Sequence, residues 1–316
     1  TSLVRRVAEA AGAVVVDDLL VGFKYIADGL RQLEETGTWK GIEAERVALV
    51  ASAEESHGVL VTPAIRDKDA AGAAIWIAEY AAELKQSNRT LIDQMDRIYA
   101  EWGYCHNYLT EIRLLGASGM EQIGQIMDHL RQQTVDAFGK FGVQAKRDRW
   151  EGDPQPHLSR TDTSSRNVLI FTLENHAPTR SIRVTVRPSG TEPKIKMYFE
   201  VFGRPCSTNQ ITTAKAEIQD ICQRLERAVM QYCYRILGVD FPERGFLLFW
   251  QLPLTDKLHY FDIEEEIAAL QSLETPDERR TRLDALLVFL GANPVEKIDA
   301  AFKARYMTGI RDYLNL

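Results

Sequence analysis

Residues 181–201 read SIRVTVRPSGTEPKIKMYFEV, and the rest of the chain is best read outward from them. Ile182, Val184 and Val186 recur at every second position, and after Pro188-Ser-Gly-Thr-Glu-Pro193 the residues Ile195, Met197 and Phe199 repeat that pattern. Successive side chains of a strand point to opposite faces, so the apolar set faces a core while Arg183, Thr185 and Arg187 face the other way, joined by Lys194 and Lys196. Two strands and a turn are predicted, with a further strand at 167–174. A turn holding Ser189, Gly190 and Thr191 offers backbone N–H groups and two hydroxyls to an anion, and Arg187 adds a planar, bidentate charge. Arg183, Arg187, Lys194 and Lys196 outnumber Glu192 and Glu200 here. The same residues also suit a plain tight connection beneath a solvated cationic face, and spacing alone leaves both readings open.

Downstream, Ile218, Ile221, Leu225, Val229, Tyr232 and Ile236 form the stripe of a long helix. Upstream, residues 108–115 alternate like a strand, and Ser118-Gly-Met-Glu121 has the form of a capping box opening a helix striped by Met120, Ile123, Met127 and Leu130. Residues 146–166 are polar and rich in Pro, Ser and Thr, which predicts a mobile loop. These features make 104–237 one α+β unit. Residues 1–103 read as α/β: helical faces at Leu3, Val7 and Ala10 and at Phe23, Ile26, Leu30 and Leu33, buried strands at 14–16 and 47–50, an Ala-rich helix at 69–84 and a helix at 90–102. Residues 238–316 read as a helical extension. There Thr275-Pro-Asp-Glu278 and Asn293-Pro-Val-Glu296 each place a cap, a Pro at the first helical position and an acid at the third.

The composition excludes several classes. With 316 residues, 45% hydrophobic and 26% charged, the chain is neither disordered nor collagen-like and is long enough for two or three domains. Its 38 Lys and Arg against 45 Asp and Glu give net charge −7, which argues against a broad nucleic-acid or anionic-lipid footprint. The longest apolar run, 245–252, is far below the roughly 20 residues of a spanning helix, so no membrane partner is expected. Four cysteines without a C-x-x-C pair fit buried, reduced thiols and a cytoplasmic location.

The string Arg187-Pro-Ser-Gly-Thr-Glu-Pro-Lys-Ile-Lys-Met-Tyr198 resembles the phosphate-binding loop of the α-D-phosphohexomutases, the phosphoglucomutase and phosphomannomutase family. Glu54-Glu55-Ser56-His57-Gly58, upstream and in the family's order, resembles its sugar-binding loop. Gly22-Phe-Lys24 resembles the short loop that discriminates sugar orientation, and Arg66-Asp-Lys-Asp69 resembles a segment whose lysine lies near the reacting phosphate. The resemblance covers residues 1 to about 237, the family's third and fourth domains. It departs at Ala53, where Gly commonly precedes the Glu, and at Val21, where Thr is common.

The resemblance implies an α/β phosphohexomutase-type third domain, then a TATA-binding-protein-like sheet-and-helix fourth domain, then the helical appendage. It implies that Glu54, Ser56, Gly22 and Lys24 hold the sugar, that Arg187, Ser189, Gly190 and Thr191 hold a phosphate, and that Lys68 acts near the reacting phosphate. The substrate would be a hexose phosphate, with phosphate moved between C1 and C6 through a hexose 1,6-bisphosphate. The family's phosphoserine and Asp-rich Mg²⁺ loops have no counterpart string here, so no cofactor is expected on this chain. Mg²⁺ and the bisphosphate belong to the complete enzyme, and the amino-terminal mutase domains are expected partners in cis or trans. Read from the residues alone, Asp67 and Asp69 suit helix capping, Lys24 suits a surface position, and no metal role falls to His57 or His106. A non-catalytic sugar-phosphate-binding or protein-interaction module, with residues 241–316 as the partner surface, is the alternative.

Overall fold

A computed structural model describes residues 1–54, 58–114, 118–150, 158–159, 162–190 and 192–316. Its helices are α1 (Ser2–Ala10), α2 (Lys24–Thr36), α3 (Ala70–Gln86), α4 (Leu91–Trp102), α5 (Gly119–Gln132), α6 (Asp162–Arg166), α7 (Ile211–Ile236), α8 (Leu254–Ala269), α9 (Pro276–Leu286), α10 (Pro294–Tyr306) and α11 (Ile310–Leu314). The strands are β1 (Thr38–Trp39), β2 (Ile42–Glu43), β3 (Ser52–Ala53), β4 (Val59–Leu60), β5 (Cys105–Arg113), β6 (Ala137–Phe138), β7 (Phe141–Asp148), β8 (Leu169–Leu173), β9 (Thr179–Pro188) and β10 (Lys194–Gly203). The last six form a sheet in the order β5-β10-β9-β8-β7-β6, while β1-β2 and β3-β4 are short antiparallel pairs. The architecture is mixed α/β. The chain divides into two compact units, one of Thr1–Tyr108, Ala145–Val184 and Phe199–Cys222, the other of Leu109–Gln144, Thr185–Tyr198 and Gln223–Leu316.

The alternation of residues 181–201 is realised on both strands. Ile182, Val184 and Val186 of β9 and Ile195, Met197 and Phe199 of β10 are buried, while Arg183, Thr185, Arg187, Lys194 and Lys196 are half-buried. The stripe of α7 is also as expected, with Ile218, Leu225 and Val229 buried and with Cys222 and Cys233 joining them as free thiols. Among the cysteines only Cys206 is not fully buried.

In the first unit, Phe23, Ile26 and Leu30 close on Leu60, with Leu19 and Leu49 against them. The two strands predicted at 14–16 and 47–50 are not formed. Residues 46–48 make a 3₁₀ turn in which the Ala48 and Leu49 amides bond back to Glu45 and Arg46, so the backbone is satisfied locally rather than by a ladder. Val14, Val47 and Val50 are 73%, 66% and 64% exposed. Helix α3 starts as predicted, with the Asp69 carboxylate accepting from the Gly72 amide at 2.9 Å. Yet Ile75, Trp76, Ile77 and Tyr80 of this apolar helix are exposed. Helix α4 carries a capping box from Thr90 and Asp93.

In the second unit, α5 begins at the predicted place without its capping box. Ser118 has helical rather than extended dihedrals, so its hydroxyl makes no cap bond. Met120 is exposed, and Ile126 takes its place in the buried stripe with Ile123, Met127 and Leu130. The box at Thr275 is made in full, whereas Asn293 adopts a left-handed conformation and caps nothing. Helix α10 ends at Tyr306, and Ile310 opens the separate α11. A helix unforeseen in the sequence, α8, contributes Tyr260, Ile263 and Ile267 to a core shared with Leu283, Leu290, Ile298 and Phe302. Inside it the fully buried Glu264 carboxylate accepts from Arg244, Arg305 and the Tyr260 hydroxyl. The segment 146–166, expected to be a loop, instead opens with the end of β7 and closes with α6; residues 151–157 and 160–161 lie outside the described ones.

Candidate functional site

The sugar-side residues converge on Gly58. The Glu54 amide donates to the Gly58 carbonyl at 2.9 Å, joining the end of β3 to the start of β4. Gly58 is buried, and a Cβ there would stand 2.8 Å from Glu54 Oε1, 2.8 Å from Lys68 Cδ and 2.8 Å from Phe23 Cε2. Only a glycine lets these three side chains meet. Lys68 Nζ is 3.8 Å from Glu54 Oε1 and 4.9 Å from the centre of the Phe23 ring. The arrangement places an acceptor, a cation and the edge of an apolar platform together, with Lys68 half exposed and Glu54 more covered. Such a set can accept from sugar hydroxyls and attract a phosphate. Ser56, the remaining sugar-loop residue, lies outside the described residues. Asp67 accepts from the Lys68 amide at 2.8 Å, and this bond and its neighbouring ammonium hold its carboxyl below the ordinary range.

Gly22 has a φ of 123°, a conformation that L side chains rarely adopt, and it turns the chain into Phe23 and α2. Lys24 follows on the first turn of that helix. Its ammonium donates to the Asp162 carboxylate and, at 2.9 Å, to Ser159 Oγ. Asp162 is fully buried and accepts as well from the Leu158 amide at 2.5 Å and from Ser159 Oγ at 2.9 Å. Burial by itself would raise this carboxyl; the donors outweigh it and hold it well below the usual carboxylate range. Next to it, burial pushes the Tyr25 phenol up to about 12.

The phosphate-side residues sit on the β9-β10 turn, in the other unit. The Ser189 amide donates to the Lys194 carbonyl at 2.8 Å, and Ser189 is buried while Gly190 is exposed. Thr191 lies outside the described residues. Arg187 Nε is buried without a hydrogen-bond partner, and among the described residues the guanidinium meets no carboxylate. A buried donor of this kind favours an anion that supplies the missing acceptor. Not every cation of this stretch is so placed. Lys194 Nζ is 2.7 Å from Glu192 and 3.3 Å from Glu111, and Arg183 is 3.4 Å from Glu200. Glu192 and Lys194, bonded to each other, titrate below and above their ordinary ranges respectively.

Three participants were not legible as such in the sequence. Glu111 reaches Lys194 from β5, far away along the chain; Phe23 and Gly58 stand inside the quoted motifs, but only their contacts show why they are needed. Among the described residues no group of three or more His, Cys, Asp or Glu side chains could hold a metal ion. No helix among the described residues is long and apolar enough to cross a membrane.

Comparison with known proteins relates part of the chain to one family. Residues 1–99 match the family model described as phosphoglucomutase/phosphomannomutase, alpha/beta/alpha domain III. A phosphoglucomutase of Staphylococcus aureus (strain N315) is 34% identical over 185 residues, 57% of this chain and 31% of that protein. The phosphoglucomutase of strain MRSA252 is 32% identical over the same shares. Among solved structures, the open form of pp63/parafusin, a phosphoglucomutase from Paramecium, aligns with 71% of this chain and 35% of its own at 17% identity and a TM-score of 0.40, too low to establish a common fold. The chain carries phosphohexomutase-related sequence and resembles the carboxy-terminal half of that family. It spans about a third of the length of the curated relatives it matches.

Proposed function

We propose that this chain is the substrate-holding, carboxy-terminal portion of a phosphoglucomutase or phosphomannomutase. The observation that carries the reading is the meeting of Glu54, Lys68 and Phe23 around Gly58, within a stretch that matches the mutase third domain. Glu54 and Ser56, with the Gly22 loop, hold the hexose, and Lys68 lies against the phosphate that reacts. Arg187, Ser189, Gly190 and Thr191, on a TATA-binding-protein-like fourth domain, hold the phosphate that stays. A hexose 1,6-bisphosphate is the intermediate, and turning it end for end exchanges C1 and C6 between the two positions. The phosphoserine and Mg²⁺ come from amino-terminal mutase domains in cis or trans, so this chain alone binds a hexose phosphate without converting it, in the cytoplasm.

The exposed run Ile75, Trp76 and Ile77 of α3 favours docking to further protein of that kind. The test is reconstitution: combining the chain with the amino-terminal domains of a phosphoglucomutase, with Mg²⁺ and glucose 1,6-bisphosphate, should convert glucose 1-phosphate to glucose 6-phosphate. Tight assembly without turnover would refute it. The second reading, a binding or interaction module, draws on the exposed Leu247, Phe249 and Trp250 of the helical extension and predicts that outcome.

A further inference from the structure

The loop from Asp18 to Lys24 is tied down at both ends by charged side chains that no motif of the chain announces. At its start, Arg149, only 8% exposed, donates to the Asp18 carbonyl at 3.0 Å, to Asp18 Oδ1 at 3.1 Å and to the Leu19 carbonyl at 3.4 Å, while Arg147 pairs with the other oxygen of the same carboxylate. Asp18 itself sits at a φ of 58°, an unfavourable conformation for a residue with a Cβ, which these bonds hold in place. At its end, Lys24 is paired with the buried Asp162 and bonded to Ser159. Between the two ties stands Gly22, whose own conformation restricts the path of the chain least.

The Lys24 ammonium cannot leave for a ligand at low cost, because its departure would strand a fully buried carboxylate without its counter-charge. Phe23, between Gly22 and Lys24, carries any displacement of the loop straight to Lys68 and Glu54. We propose that Asp162 and Arg149 are positioning residues for the sugar-orientation loop, and that Lys24 is the anchor of that loop rather than a contact to the sugar. This rests on the reading of the Gly22-Phe23-Lys24 segment as facing the hexose.

The two possible roles of Lys24 differ in sign. If Lys24 touches the hexose phosphate, Asp162→Asn releases a cation toward the ligand and leaves affinity unchanged or raises it. If Lys24 is the anchor, Asp162→Asn weakens binding by about tenfold, as loss of alignment does, and Lys24→Met in the Asp162→Asn background adds nothing further. The experiment is calorimetric titration of the full chain with glucose 6-phosphate, with circular dichroism verifying that each variant is folded. Lys24→Arg, which keeps the ion pair, should bind within about twofold of the wild type. Should Asp162→Asn fail to fold, Ser159→Ala, at an exposed residue bonded to both partners, should weaken binding about threefold, and unchanged affinity would overturn the proposal. Unchanged or tighter binding by a folded Asp162→Asn overturns the positioning role alone. A wild-type chain that takes up no glucose 6-phosphate overturns the reading of the site and this inference together.

Discussion

Lys68 stands between Glu54 and Phe23, with its ammonium 3.8 Å from the carboxylate and 4.9 Å from the ring centre, because Gly58 leaves the space in which the three meet. Gly58→Ala inserts a methyl into that space and should displace all three side chains. The expected cost is about 1–3 kcal/mol of stability, the range for overpacking, with a weakened affinity for hexose phosphate. Thermal unfolding and calorimetry of the variant check it, and an unchanged affinity would separate Gly58 from the site.

Lys257 of α8 is 6% exposed; its ammonium has one long bond to the Trp250 carbonyl at 3.4 Å and feels the charge of Glu226 on α7. Burial lowers its pKa from 10.5 to about 8, outweighing that attraction, and burial likewise raises the Glu226 carboxyl. Between about pH 8 and the unfolded value the unfolded chain binds more protons, so this residue makes stability rise with pH across that window. Lys257→Met should remove the rise and stabilise the fold at pH 7 by about 1–3 kcal/mol. Urea midpoints at pH 7, 8, 9 and 10 measure both effects.

At Glu264 it is the charged form that the fold favours. Burial would raise its carboxyl, but the bonds from Arg244, Arg305 and Tyr260 outweigh burial and hold it below its ordinary value. Its contribution is present above the unfolded pKa and is lost as pH falls through the folded one. Glu264→Gln should cost about 1.5–3 kcal/mol near pH 7 and flatten the acid limb of the stability curve. Denaturant titrations from pH 3 to pH 7 would show the difference.

The exposed apolar residues of α3 predict a solution property. The chain by itself should bind 1-anilinonaphthalene-8-sulfonate while folded, and Trp76→Glu with Ile77→Lys should abolish most of that fluorescence without lowering the melting temperature. Retained dye binding would place the exposed surface elsewhere.

What the sequence revealed and withheld follows from the range of the interactions. The β9 and β10 faces were legible because a period of two is a local property, which β9 keeps from Ile182 to Val186 and β10 from Lys194 to Phe199, beyond which every residue of β10 is buried. The starts of α3, α4 and α9 were legible because a cap is formed within four residues. Residues 14–16 and 47–50 have strand-like composition, but a strand also needs a partner edge, which composition does not record. The same limit applies at the site. Arg187 and Glu54 could be picked from motifs, whereas the Lys24–Asp162 pair joins residues 138 positions apart, and the second carboxylate on Lys194, besides the neighbouring Glu192, comes from Glu111 in another strand.

The measurement that bears most directly on the account is the affinity of the full chain for glucose 6-phosphate, wild type against Arg187→Ala, by titration calorimetry. The buried, unpartnered Nε of Arg187 predicts saturable binding that the substitution weakens by about 1.5–3 kcal/mol while the chain stays folded. Equal affinities for the two proteins would contradict it.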